Sequence, residues 1–171
     1  MLRFTSYFST FSQNRTTNFS NKSLAIINGA FNQSGIPMSN LLVNGNANLG
    51  AQAKKTLFSK IFVVNGNLNS QHTTFETLEV NGNSKLDSCT ISDKGEFLGN
   101  AEFTGCTVST LDLRGKDFTL QNSTVTGDIV VSSIMGKGKL ILDNTTVRGS
   151  AKFIIGDGEI ILINGASIGN S

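Results

Sequence analysis

The sequence has few of the residues that build catalytic and metal sites. It contains one histidine, His72, two cysteines and no tryptophan. A single histidine excludes a site with several histidine ligands, and Cys89 and Cys106 lack the C-x-x-C spacing of a zinc site. His72 also has no obvious partner that would orient it for acid–base chemistry. We therefore expect no enzymatic activity, no cofactor or metal, and no small-molecule substrate.

Acidic residues are absent from the first 75 positions, which hold six basic residues. Residues 76–171 hold eight basic and twelve acidic residues, a net charge of −4. A basic half raises the question of nucleic-acid or membrane binding. The six cations are scattered, however, and only Lys54 and Lys55 are adjacent. We expect no nucleic-acid binding, because no basic cluster with interleaved aromatic residues is present.

Long apolar runs are absent as well. No run of about 18 apolar residues occurs, so the sequence predicts no transmembrane helix. The first residues lack the apolar segment of a secretory signal, which favours a cytoplasmic, reducing location. Proline occurs once and glycine 18 times. Frequent glycine and asparagine with little proline predict tight corners between short strands.

A six-residue pattern recurs five times in the second half of the chain. Its copies are L-D-S-C-T-I at 86–91, F-T-G-C-T-V at 103–108, L-Q-N-S-T-V at 120–125, L-D-N-T-T-V at 142–147 and I-N-G-A-S-I at 163–168. A second pattern, V-N-G-N, occurs at 43–46, 64–67 and 80–83, with a related L-G-N at 98–100. Self-similarity with a period of about 16 to 22 residues indicates a solenoid of stacked coils.

Stacking the copies aligns equivalent positions into columns. Two apolar columns are expected inside: one is Leu86, Phe103, Leu120, Leu142 and Ile163, and the other is Ile91, Val108, Val125, Val147 and Ile168. A column that tolerates positive φ lies between them: Ser88, Gly105, Asn122, Asn144 and Gly165. The next column is small: Cys89, Cys106, Ser123, Thr145 and Ala166. The apolar columns are five residues apart, which is the wrong parity for one straight strand, so a corner must separate them.

These columns predict an all-β fold, a single-stranded parallel β-helix (β-solenoid) with coils of about 16 to 22 residues. The preference of parallel strands for right-handed crossovers predicts a right-handed winding. The segment A-I-I-N-G-A-F at 25–31 resembles L-I-N-G-A-S-I at 162–168. We therefore expect the solenoid to span residues 24–171 and residues 1–23 to form a separate tail.

The tail is rich in serine, threonine and aromatic residues. On a helix, one face would carry Phe4, Tyr7, Phe8 and Phe11 with Leu2 close by, which is typical of a membrane-contacting segment at the inner face of a membrane. Three alternatives stay open: a cap on the first coil, a disordered segment, and a mitochondrial transit peptide, since the tail is basic and acid-free.

The V-N-G-N and L-G-N turns, the β-branched coils and the lack of catalytic groups resemble the bactofilins, a family of polymer-forming cytoskeletal proteins. The resemblance covers roughly residues 41–171 and depends on the repeat pattern, without a unique motif. It implies a right-handed β-helix that polymerises end to end without nucleotide, with a short membrane-targeting segment before it. The aromatic tail occupies the position of that segment.

The sequence thus predicts a non-enzymatic scaffold whose partner is another copy of itself. The expected polymer interface joins Ala25, Ile26 and Ile27 at one end to Ile163, Ala166 and Ile168 at the other, because the two segments resemble each other. The opposite charges of the two halves favour head-to-tail stacking. A β-helical binding module, for carbohydrate or surface adhesion or as a fibre component, is the alternative.

Overall fold

The protein folds as a stack of β-coils. The computed structural model describes residues 4–6, 10–12, 25–33, 38–49, 56–133 and 136–169. These residues form 21 strands and no helix, and hence no helix that could cross a membrane. The strands are β1 (Phe4–Ser6), β2 (Thr10–Ser12), β3 (Ala25–Asn28), β4 (Ala30–Gln33), β5 (Met38–Asn44), β6 (Ala47–Leu49), β7 (Thr56–Val64), β8 (Leu68–Gln71), β9 (Thr73–Val80), β10 (Ser84–Asp87), β11 (Thr90–Phe97), β12 (Ala101–Thr104), β13 (Thr107–Leu113), β14 (Asp117–Gln121), β15 (Thr124–Val125), β16 (Ile129–Ser132), β17 (Gly138–Asp143), β18 (Thr146–Val147), β19 (Ala151–Ile155), β20 (Gly158–Ile163) and β21 (Ser167–Ile168).

Two parallel sheets run along the stack. One follows the order β1, β3, β5, β7, β9, β11 and β13, and then divides into β15, β18 and β21 on one side and β16 and β19 on the other. The other follows the order β2, β4, β6, β8, β10, β12, β14, β17 and β20. Each strand pairs in parallel with its equivalent in the next coil, as β10 does with β12. The predicted all-β parallel solenoid is confirmed, and its handedness stays a prediction.

The interior is filled by five columns of apolar side chains that are at most 2% exposed. Column 1 contains Leu41, Phe62, Leu78, Leu111 and Ile129; column 2 contains Val43, Val64, Val80, Phe97, Leu113 and Val131; column 3 contains Phe31, Ala47, Leu68, Ala101, Phe118 and Leu140; column 4 contains Leu86, Phe103, Leu120 and Leu142; column 5 contains Phe75, Ile91, Val108, Val125 and Val147. Columns 4 and 5 are the two that the repeat predicted. Columns 1 to 3 are new, although the valine of V-N-G-N lies in column 2.

The corner between columns 4 and 5 has the same construction in five successive coils. One corner residue has a φ of 45° to 61°, at His72, Ser88, Gly105, Asn122 and Asn144. The side chain of the next residue donates a hydrogen bond of 2.8 to 3.4 Å to the carbonyl oxygen two positions earlier, in the pairs Thr73–Gln71, Cys89–Asp87, Cys106–Thr104, Ser123–Gln121 and Thr145–Asp143. The predicted positive φ and the predicted small column are therefore confirmed. The hydrogen bond explains why this small column holds Ser, Thr and Cys.

The asparagines of the V-N-G-N turns form two hydrogen-bond ladders along another corner. The first asparagines bond side chain to side chain, from Asn65 to Asn44 and from Asn81 to Asn65. The side-chain oxygen of each second asparagine accepts from the backbone N–H of its equivalent in the following coil, in the pairs Asn46–Asn67, Asn67–Asn83 and Asn83–Asn100. Each turn therefore fixes the position of the next one.

The glycine of each such turn is required by the close approach of neighbouring coils. A Cβ atom at Gly66 would lie 2.3 Å from the carbonyl oxygen of Gly45, and one at Gly82 would lie 2.5 Å from that of Gly66. Both distances are far below van der Waals contact, so only glycine fits without a backbone shift.

Ile163 does not lie in the interior, and this prediction is wrong. Leu162 pairs with Leu142 and takes the place in column 4, whereas Ile163 lies on the outer face and is 42% exposed. The corner that follows has an additional residue with positive φ, since both Asn164 (53°) and Gly165 (81°) adopt it. Because of this extra residue, Ile168 again aligns with Val147 in column 5 beyond the corner.

Two strands before β3 continue both sheets. β1 pairs with β3, and β2 pairs with β4, over three residues each. These segments are extended, so the helical arrangement considered for the tail does not apply to them. Phe4 and Phe11 occupy register positions in columns 1 and 3, an arrangement that favours a tail packed on the first coil. Leu2, Tyr7 and Phe8 lie outside the described residues, so the membrane contact stays a prediction.

Replacing Val125 with Asp tests the interior columns. Val125 is fully buried in column 5, and an unpaired buried carboxylate costs about 3 to 5 kcal/mol, a large part of a total stability of about 5 to 15 kcal/mol. We expect the β-sheet circular dichroism signal to be lost at a much lower urea concentration. Thr124→Asp, on the outward side of the same strand, is the control and should unfold near the wild-type midpoint. Equal loss in both variants would contradict the inward and outward assignment.

Replacing Gly82 with Ala tests the close contact between turns. The added Cβ would meet the Gly66 carbonyl at 2.5 Å, and relieving such overpacking costs about 1 to 3 kcal/mol. Gly105→Asn is the control, because a Cβ there has its nearest neighbour at 3.7 Å and Asn122 occupies the equivalent position. Urea denaturation should show a loss for Gly82→Ala and little change for Gly105→Asn. A neutral Gly82→Ala variant would show that the turns are not in contact.

Candidate functional site

The last described coil presents an open sheet edge. Its strands are β19, β20 and β21, within residues 151–168, and we call them the terminal edge. Among the described residues, each of the three pairs on one side only, with β16, β17 and β18 respectively. The N–H and C=O groups that point the other way have no sheet partner in the described part of the chain, which makes this edge a template for another strand.

Exposed apolar side chains concentrate at the terminal edge. Among the residues whose side-chain burial the structure describes, five large hydrophobic side chains are exposed, and four of them belong to this coil: Ile154 (56%), Ile155 (53%), Leu162 (46%) and Ile163 (42%). The fifth is Leu98, which lies on a turn in the middle of the stack. Leu162 shows the effect most clearly, because its neighbour Leu142 in column 4 is fully buried. Column 4 therefore ends at this edge in an apolar side chain that is open to solvent.

The inward positions of the terminal edge are apolar. Ala151, Phe153, Ile160, Ala166 and Ile168 are partly buried and pack against the core from one side. Ala166 and Ile168 lie in this last described coil, and their part in a polymer interface stays a prediction. Ile160 and Leu162 were not predicted for this edge. The run I-I-L-I at 160–163 is the local signal for them, because earlier strands alternate apolar and polar residues.

Charged residues at the terminal edge leave the inward positions clear. Lys152 aligns with Val130 on the outer face, and Glu159 aligns with Lys139. Sheet edges that avoid association commonly carry charges pointing inward or a proline. The strands β19, β20 and β21 carry neither. Three other features that can blunt an edge are present: Lys152, the irregular register of β19 and the short strand β21.

The N-terminal end of the stack differs from the predicted interface. Ala25, Ile26 and Ile27 lie in β3, which pairs on one side with β5 and on the other with β1. In the described residues the free edges at this end are therefore those of β1 and β2. A contact made directly by Ala25, Ile26 and Ile27 would require β1 to leave.

Charged side chains on one wall pair with one another. Glu79, Glu96 and Asp112 align in one outward column of three neighbouring coils, where like charges repel. Arg114 contacts Asp112 at 2.8 Å and Glu96 at 3.7 Å, and Lys94 contacts both carboxylates. The hydrogen bond from Arg114 lowers the pKa of Asp112, and the hydrogen bond to Glu96 raises the pKa of Lys94. Two cations therefore pair with two of the three carboxylates on this wall, an arrangement typical of a solvated surface.

Cys89 and Cys106 are free, buried thiols. They occupy neighbouring coils of the small corner column. A hydrogen bond from Cys106 lowers the pKa of Cys89 to about 7, and the same contact raises the pKa of Cys106. Both are only 2% exposed, so they pack as small core residues and do not form an accessible reactive site.

A shallow groove of about 600 Å³ lies on the outer surface near Gly138 and Gly158. Three lysines and three carboxylates line it: Lys116, Lys137, Lys139, Asp117, Asp157 and Glu159. Its charges balance, so it favours no ion of either sign. In the described part of the chain, no group of three or more His, Cys, Asp or Glu side chains could hold a metal ion.

Comparison with known proteins does not assign a family to this chain. The resemblance to bactofilins therefore stays a prediction from the repeat pattern. No family model, no curated protein and no solved structure matches the chain.

Proposed function

We propose that this protein is a non-enzymatic structural scaffold that assembles end to end into filaments, the function that its resemblance to bactofilins implies. The observation that carries the proposal is the terminal edge, where an unpaired row of backbone groups coincides with four exposed large hydrophobic side chains. Stacking another coil on this edge would satisfy both, and it requires no cofactor or nucleotide.

The end of the stack is the surface best suited to strong association. The side walls present outward residues such as Thr107 and paired charges such as Asp112 and Arg114, which are well hydrated and gain little from contact. At the terminal edge, contact would remove apolar surface from water, which is the dominant favourable term in association. The backbone groups of the edge would gain hydrogen bonds in the same contact.

The contact would be heterologous, joining one end of a copy to the opposite end of the next. Both sheets run the whole length of the described stack in parallel, so a second copy stacked in the same orientation can continue both. The charges of +6 and −4 in the two parts of the sequence also favour unlike ends. A heterologous contact that does not close on itself generates a filament.

Replacing Leu162 with Lys tests the terminal edge. Leu162 is 46% exposed and belongs to column 4, so a copy stacked above it would bury the lysine among apolar neighbours. Because an unpaired buried charge is costly, we expect the concentration needed for assembly to rise at least tenfold, equivalent to about 1.4 kcal/mol. Sedimentation of the protein over a range of concentrations measures this change.

Leu98→Lys is the matched control. Leu98 is 41% exposed, nearly as much as Leu162, but lies on a turn in the middle of the stack. It should assemble like the wild type, and both variants should keep the β-sheet circular dichroism spectrum. Equal assembly of Leu162→Lys and wild type would remove the terminal edge from the mechanism. A wild type that stays monomeric at all concentrations would favour the binding-module alternative.

A further inference from the structure

The register of the sheets identifies which part of a second copy would cover the terminal edge. We infer that β1 and β2 of one copy stack on the terminal edge of the next, with Phe4 in register with Ala151 and Phe11 in register with Ile160. This inference rests on the proposed end-to-end assembly and specifies its junction.

Column 1 can be followed by backbone pairing through the whole described stack, beside register shifts in several of the same strand pairs. Its backbone pairings connect Phe4, Ala25, Leu41, Phe62, Leu78, Gly95, Leu111, Ile129 and Ala151 in that order. Its first position in β1 and its last position in β19 are both apolar residues. A second copy stacked in the same register would therefore add Phe4 as the next member of the column after Ala151.

Column 3 runs equally far in the other sheet. Its pairings connect Phe11, Phe31, Ala47, Leu68, Ser84, Ala101, Phe118, Leu140 and Ile160. Its end positions, Phe11 and Ile160, are again apolar. The two columns belong to different sheets, so a second copy has to be in register with both sheets at once. One in-register stacking pairs Phe4 with Ala151 and Phe11 with Ile160.

The residue types at the first strands distinguish a junction from a cap. A terminal repeat that keeps a solenoid soluble has a polar outer face. β1 and β2 instead place phenylalanine at core-column positions, Phe4 and Phe11. In the inferred register, Phe4 and Phe11 are the next members of the columns that end at the partly buried Ala151 and Ile160.

The competing arrangement leaves β1 and β2 out of the junction. In it, β1 would leave β3, and Ala25, Ile26 and Ile27 would contact the terminal edge directly, as the sequence analysis predicted. The register separates the two arrangements, because the partner of Ile160 is Phe11 in one and Phe31 in the other.

Disulfide trapping between copies tests the junction. Both native cysteines are first replaced by serine, Cys89→Ser and Cys106→Ser, because Ser123 shows that serine fits this column. One batch then carries Phe11→Cys and another carries Ile160→Cys. Parallel neighbours lie about 4.8 Å apart, within the Cα range of about 4.4 to 6.8 Å that a disulfide spans. After mixing, assembly and oxidation with glutathione disulfide, we expect a covalent dimer that contains one chain of each kind.

Ile161→Cys is the matched control, because residue 161 belongs to the same strand but points to the opposite face from residue 160. Its yield with Phe11→Cys should be lower by at least about tenfold, since the side chains diverge. A second pair, Phe4→Cys with Ala151→Cys, repeats the test in the other sheet and covers the case in which Phe11→Cys fails to assemble.

Sedimentation of the same mixtures measures assembly independently of the disulfide links. A wrong junction can therefore be told apart from a failure to assemble. If the protein assembles and Phe31→Cys links efficiently to Ile160→Cys while Phe11→Cys does not, the inference is overturned. The junction would then be formed by β3 and β4. Dimers linked through residue 160 in both chains would overturn it in favour of like ends meeting. Assembly without any of these links would place the junction elsewhere, and absence of assembly would end the proposed function together with its junction.

Discussion

The structure depends on one constraint, which is that each coil can bury its apolar side chains only against the coils before and after it. A single coil encloses no core of its own, so the five interior columns are also the contacts that hold the stack together. Leu142 is fully buried because coils lie on both sides of it, whereas Leu162, one coil further, is 46% exposed. The constraint that stabilises the middle of the stack therefore leaves its last described coil with apolar surface and unpaired strands.

The corners keep the columns aligned. At one corner, a residue with positive φ is followed by a small residue that donates to the carbonyl two positions earlier, as Ser123 does to Gln121. At another, asparagines bond from coil to coil, and glycines such as Gly66 allow the backbones to approach. The asparagine and glycine contacts act between equivalent residues of neighbouring coils, so they fix the register as the columns do. The hydrogen bond from Ser123 shapes the corner within one coil.

The repeat predicted the fold because its columns are set by residue type and spacing alone. Leu86, Phe103 and Leu120 recur at intervals of 17 residues, and the corner between columns 4 and 5 follows from parity. The error at Ile163 has a physical cause: the last corner contains an additional residue, and the apolar run I-I-L-I gave no alternation that could show which residue pointed inward. The aromatic residues of the tail have helical spacing, which suggested a membrane-contacting face as one of several alternatives. Pairing with β3 and β4 depends on long-range contacts that a local pattern does not contain.

The central claim is that the stack continues from copy to copy through its ends, and electron microscopy with diffraction from aligned filaments tests it most directly. The purified protein, without nucleotide, should form unbranched filaments one solenoid wide, with a strong axial reflection near 4.8 Å from the continuous parallel strands. Particles that stay the size of one chain at every protein concentration and salt concentration would contradict the account. So would filaments whose strands run along the fibre axis.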